Sequence, residues 1–91
     1  MSGIDDRLSL LRARFLERAR SDAEAFAAAL EGGDIAAISR LAHGIAGNAG
    51  LFGFPDVSAE ASALEYAIEE AEPMWPDRTR ALITSLRALS A

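Results

Sequence analysis

Apolar residues recur along the first third of the chain at spacings of three and four: Ile4, Leu8, Leu11, Phe15, Ala19, Ala23, Phe26 and Leu30. That period predicts one long amphipathic helix from about Asp5 to Glu31, with a weak spot at Ser21-Asp22. Gly32-Gly33 is a C-terminal stop signal, and Asp34 is a natural N-cap for a second helix running to about Leu51. The inner face of that helix is Ile35, Ile38, Leu41/Ala42, Ile45, Ala49 and Phe52. Phe52-Gly53-Phe54-Pro55 reads as a turn, and Pro55 suits the first position of a third helix. The third helix points Val57, Ala61, Leu64, Ile68 and Ala71 inward, and sends Glu60, Glu65, Glu69 and Glu70 to water or the flanks. Glu72-Pro73-Met74-Trp75-Pro76 interrupts the period twice, because proline cannot continue a helix. Pro76 then opens a fourth helix with Thr79, Leu82, Ile83, Leu86 and Leu89 on its inner face.

Four amphipathic segments with short connections predict an all-α, antiparallel up-down-up-down four-helix bundle. The first segment is longer than the others, so its first turns either overhang the bundle or fold as a short extra N-terminal helix. With 91 residues there is one domain, 1–91, and no room for a second. Half of the chain is apolar, and it is rich in Ala and Leu with few β-branched residues, which agrees with packed helices.

Composition narrows the function classes. There is no cysteine, so disulfides and thiolate metal sites are excluded, and a reducing compartment fits. No apolar run approaches the roughly 20 residues of a membrane span, and no signal pattern opens the chain; a soluble, cytoplasmic protein without membrane contact is expected. A net charge of −5 argues against general nucleic-acid binding. All nine basic residues are arginine. Five of them fall between Arg7 and Arg20, with acidic residues among and beside them, as on a solvated helix face.

The single histidine, His43, lies in Leu41-Ala42-His43-Gly44-Ile45-Ala46-Gly47-Asn48-Ala49-Gly50-Leu51-Phe52-Gly53-Phe54, a stretch that holds four of the seven glycines. Each interior glycine weakens a helix by roughly 0.5–1 kcal/mol relative to alanine. At ~100° per residue, His43 stands about 140° from the centre of the buried face. It is flanked by Ser39, Arg40, Ala46, Gly47 and Gly50. Gly44, Gly47 and Gly50 give up helix stability on or beside an exposed face, where Glu, Lys, Arg or Gln is usual. What they provide is access: a flat surface lets another protein bring its backbone and an acidic pocket to the imidazole. A zinc site lacks further His or Cys ligands, and no nucleophile elbow suggests a hydrolase. What remains is one nucleophilic imidazole presented to a partner.

His43-Gly44-Ile45-Ala46-Gly47, with Gly53 six residues later, resembles the core of the histidine-containing phosphotransfer (HPt) domains of bacterial two-component phosphorelays. That core reads His-x-x-Lys-Gly followed by another glycine. Leu41-Ala42, Phe54-Pro55 and Leu64-Glu65 are similar to the flanks of the family's hairpin, and the four-helix pattern extends the likeness over most of the chain. The departure is Ala46, where the family has lysine.

The resemblance implies a phosphocarrier without kinase activity. His43 Nε2 would take a phosphoryl group from a receiver-domain aspartate and pass it to another receiver. The partners would be response-regulator receivers and a hybrid histidine kinase; the chain would bind no cofactor or metal, and the receiver would supply Mg²⁺. Arg40 is the local substitute for the missing lysine, set against an ordinary surface arginine. Glu65 would accept from Nδ1 and hold the tautomer, set against a solvated flank carboxylate. Gly44, Ala46, Gly47 and Gly50 would form the partner-contact surface, with Asn48 at a phosphoryl oxygen or at the edge of the core. Phe52, Phe54 and Trp75 read as core. The start at Met1 and the compact end favour a free-standing protein over a domain of a larger kinase. Two other readings stay open: a degenerate module that binds a kinase or receiver without carrying phosphate, and an unrelated helical bundle with an incidental histidine.

Overall fold

The computed structural model describes residues 3–90, apart from the side chains of Ile4 and Asp5. It is all-helical over that range: α1 (Gly3–Gly32), α2 (Ile35–Leu51), α3 (Pro55–Glu69) and α4 (Trp75–Leu89). Each helix packs against the next, and α1 closes the ring against α4. Joined by turns of a few residues, the four run up-down-up-down. Ile4, at the head of the apolar stripe, lies outside the described side chains.

The ends follow the local signals. Gly33 takes φ +68°, and the Asp34 carboxylate accepts from the Ala37 amide at 3.1 Å. Gly53 takes φ +89° in the α2–α3 turn, where the Phe54 amide donates back to the Ala49 carbonyl at 2.8 Å. One ending differs from expectation. α3 stops at Glu69 because Ala71 enters the left-handed region at φ +52°, and the Glu72 amide then closes on the Ala67 carbonyl at 2.8 Å. Ala71 is therefore exposed, and Ala67 takes an inward place. Ile35, at the first position of α2, is also exposed, and the inner face begins with Ala37 and Ile38.

α1 is one continuous 30-residue helix, so no separate N-terminal helix forms. No proline or glycine interrupts it between Gly3 and Gly32, and the fully buried Ala19, Ala23 and Phe26 carry its inner stripe past Ser21-Asp22. Thirty residues rise about 45 Å, close to the 48 Å long axis of the molecule. The other helices have 15 to 17 residues. The turns before Phe15, the first buried residue of α1, consequently extend past the bundle end. Phe15 fastens α1 to the α2–α3 turn, with ring centroids 6.0 Å from Phe52 and 5.4 Å from Phe54.

The core is built from rows of alanine interlocked with larger groups. Phe26, Ile38, Leu64, Leu82 and Leu86 are fully buried, and each is worth roughly 1.5–3 kcal/mol of transfer free energy. Thr79 is buried too, its hydroxyl donating to the Trp75 carbonyl at 2.8 Å. Trp75, Phe52 and Phe54 are half-buried against this core. The alanines let α2 and α3 lie close together, and that closeness sets the geometry around His43.

Candidate functional site

Burial of Ile38, Ala42, Ile45 and Ala49 fixes the rotation of α2. His43, one residue beyond Ala42, is carried out of the core, and 80% of its side chain is exposed. α2 and α3 form a helical hairpin centred on the Phe52–Phe54 turn. His43 and Glu65 lie equal numbers of residues from Phe54, so the antiparallel register brings them level. The Nδ1···Oε2 distance is 2.9 Å. Glu65 follows the buried Leu64 and keeps only 24% of its side chain exposed, so its carboxylate is held while the ring stays open. With the proton on Nδ1, that nitrogen donates to Glu65 and Nε2 keeps its lone pair.

The same register places Gly50 opposite Ser58. A Cβ on Gly50 would stand 3.2 Å from Ser58 Oγ, and that hydroxyl donates to the Ala46 carbonyl at 2.7 Å. Gly50, expected to clear space for a partner, is exposed and also sits in a close contact within the molecule. Gly44 and Gly47 differ: a Cβ on either would meet nothing within 4 Å. Ala46 is half-buried against the core on the α3 side. Ser58 is a residue that sequence reasoning missed; its only signal is its place opposite Gly50 across the hairpin.

On the other side of α2 lies an open groove against α1, about 420 Å³ in volume. Arg40, Gly44 and Asn48 line it from α2, and Arg14, Arg18 and Asp22 from α1. Asn48 is therefore an exposed groove residue rather than one at the core edge. Burial pushes the Asp22 carboxyl above the usual carboxylate range, opposed by Arg18 at 4.0 Å. The structure thus pairs His43 with Glu65 and gathers Arg40, Gly44 and Asn48 along one groove.

Among the described residues, no group of three or more His, Cys, Asp or Glu side chains converges as metal ligands would. No described helix is long and apolar enough to cross a membrane. What the arrangement offers chemically is an exposed, singly hydrogen-bonded imidazole, between a carboxylate on one neighbouring helix and guanidinium groups on the other.

A protein-family model described as Hpt domain matches residues 10–91. No curated protein and no solved structure matches the chain.

Proposed function

The chain belongs to the Hpt domain family, and from that premise we propose that it is a cytoplasmic phosphorelay intermediate that carries its phosphoryl group on His43 Nε2. The observation that carries this reading is the 2.9 Å contact from Nδ1 to Glu65 on a ring that is otherwise open to solvent. That contact supports a tautomer with the proton on Nδ1, in which Nε2 is the nucleophile.

A receiver domain bearing an aspartyl phosphate approaches the exposed ring. The Nε2 lone pair attacks phosphorus in line, the acyl phosphate P–O bond breaks, and the aspartate leaves with its electron pair. The ring, phosphorylated at Nε2 and still protonated at Nδ1, is cationic, and Glu65 is its counter-ion. A second receiver's aspartate then attacks phosphorus, and the electrons of the N–P bond return to Nε2. Little proton movement is needed, so positioning and charge neutralisation supply the rate. Mg²⁺ comes from the receiver, a hybrid histidine kinase stands upstream, and this chain is a carrier rather than a kinase. Arg40 is the cation nearest in sequence, one turn before His43.

One observation favours a second reading, a module that binds a receiver or kinase without carrying phosphate. Ala46 places no charge where the resemblance expects a lysine. Incubation with a phosphorylated receiver separates the two. Acid-labile, alkali-stable label on the wild type and none on His43→Gln supports the carrier. Stable binding with no label on either protein supports the module.

A further inference from the structure

The net charge of −5 is unevenly spread around His43. From Pro55 to Glu72, α3 and its exit turn carry Asp56, Glu60, Glu65, Glu69, Glu70 and Glu72 without one basic residue. Between Arg7 and Arg20, α1 carries five arginines against the single carboxylate of Glu17. α2 packs against both helices, and its one formally charged side chain is Arg40. The ring therefore stands on a helix packed between one without a basic residue, whose Glu65 it meets and whose Glu60 turns to Ser85 of α4, and one rich in arginine.

The basic face has a shape as well as a sign. Leu11, Phe15, Leu41 and Ile45 give the α1–α2 groove apolar lining, and Arg14, Arg18 and Arg40 line it with charge. Arg14 and Arg40 pair with no carboxylate among the described residues, and Arg18 meets Asp22 only at 4.0 Å. Three guanidinium groups thus have most of their hydrogen-bonding capacity unused. Gly44 follows His43 in the chain and lines the groove without a side chain, so no wall separates the groove from the helix face that bears the ring.

We propose that the phosphorylated receiver approaches His43 across the α1–α2 groove, setting an acidic surface on Arg14, Arg18 and Arg40, while the carboxylates of α3 reject the reverse orientation. This rests on the phosphotransfer reading above. It adds the face, the charge and the polarity of the partner. A receiver that offers an aspartyl phosphate is anionic at the reacting point, so this approach brings its charge over the arginines of α1 rather than over α3, which has no basic residue. Packed helices lie about 8–10 Å apart, comparable to the Debye length of about 8 Å at physiological ionic strength. Arginines on α1 therefore act on a partner poised over α2. Three arginines against the single carboxylate of Asp22 leave the groove net positive; such an excess of one charge raises association rates with a partner of opposite sign, and the effect fades with salt.

The test uses the full chain and two phosphodonors. One is a phosphorylated receiver; the other is phosphoramidate, a donor too small to use a docking surface. Arg14→Glu with Arg18→Glu slows transfer from the receiver at low ionic strength roughly 10- to 100-fold more than it slows labelling by phosphoramidate. The same double variant loses the fall in rate with added salt that the wild type shows. Glu69→Arg with Glu70→Arg, which weakens the repulsive row, transfers faster than the wild type. Equal slowing with both donors, or receiver transfer at the wild-type rate with the wild-type salt dependence, overturns the inference and leaves the carrier reading standing. A wild type that takes label from neither donor overturns both.

Discussion

Alanine at Gly47 should stabilise the protein, and alanine at Gly50 should not. Gly47 is interior to α2, where glycine to alanine is worth about 0.5–1 kcal/mol through helix propensity and the unfolded chain, and Gly50 lies in its last turn, where the gain is at most that. At Gly47 nothing opposes that gain, because a Cβ would meet no atom within 4 Å. At Gly50 the Cβ would sit 3.2 Å from Ser58 Oγ and 3.8 Å from Ser58 Cβ. The hydroxyl escapes by rotating away from the Ala46 carbonyl, giving up a 2.7 Å hydrogen bond. A net loss of about 0.5–1.5 kcal/mol for that bond cancels or exceeds the propensity gain. For a domain of this size, 1 kcal/mol corresponds to about 4–8 °C in Tm. Gly44→Ala and Gly47→Ala should thus each raise Tm by about 2–8 °C, and Gly50→Ala should leave it unchanged or lower it. Thermal and urea unfolding followed by circular dichroism read the series. A gain at Gly50 equal to that at Gly47 would refute the account of the Ser58 contact. A loss at Gly44 or Gly47 would show that those glycines serve internal packing, and the access argument would fall with it. Gly47→Glu completes the set: helical content stays near wild type while transfer from a receiver slows, and wild-type transfer there would remove the case for a surface kept flat for a partner.

Glu65→Gln keeps an acceptor beside Nδ1 but removes the charge, so transfer should fall roughly 5- to 10-fold, about 1–1.4 kcal/mol in the barrier. Nitrogen NMR of the ring should show a smaller share of the Nδ1–H tautomer; wild-type rate and tautomer ratio together would leave Glu65 a surface carboxylate. Arg40→Ala should slow transfer or shorten the life of phosphohistidine, and unchanged kinetics on both counts would make Arg40 a bystander. Asp22→Asn should raise stability at neutral pH. Burial holds the folded Asp22 carboxyl above its unfolded value, so its ionisation disfavours folding at neutral pH, and that penalty disappears as pH falls through the raised pKa. Urea unfolding at pH 7 and near pH 3 should therefore show the advantage of the variant only at the higher pH, and an equal advantage at both would exclude ionisation as its source. Phe15→Ala should cost about 3–5 kcal/mol, because it removes a buried ring held between Phe52 and Phe54. A loss below about 1 kcal/mol would mean that this aromatic cluster does not fasten α1 to the turn.

Periodicity and punctuation made most of the fold readable. The stripe from Phe15 to Phe26, the Gly33 and Gly53 turns and the inner face of α4 all follow from spacing, because helix burial imposes a 3.6-residue rhythm. The end of α3 was not readable. A left-handed alanine carries no sequence signal of its own, and Ala71 is held there by hydrogen bonds to Ala67 and Ile68 made by the turn it opens. The outward direction of His43 follows from the same rhythm, and its meeting with Glu65 from the centre of the hairpin. Gly50 was opaque for a physical reason: glycine against serine has neither the hydrophobicity nor the charge that marks a contact in a single chain. The α1–α2 groove was hidden differently. Arg14 and Arg18 read as a solvated face until the rotation of α1 against α2 is known, and only packing supplies that rotation.

Ala46 ties these features together. Its side chain is half-buried toward α3 and its carbonyl is engaged by Ser58, so position 46 belongs to the α2–α3 seam. A lysine there would stand toward α3, and Glu65 would have a competitor for its bond to His43. With alanine in place, no basic side chain among the described residues competes with His43 for Glu65. On the proposed mechanism that matters most after transfer, when the ring is cationic and needs a counter-ion that no neighbouring ammonium shares. Positive charge for the phosphoryl group then comes from the opposite side, through Arg40 and the α1 groove. The departure at position 46 and the arginines of α1 are in this view one arrangement: the carboxylate side steadies the ring, and the guanidinium side meets the partner.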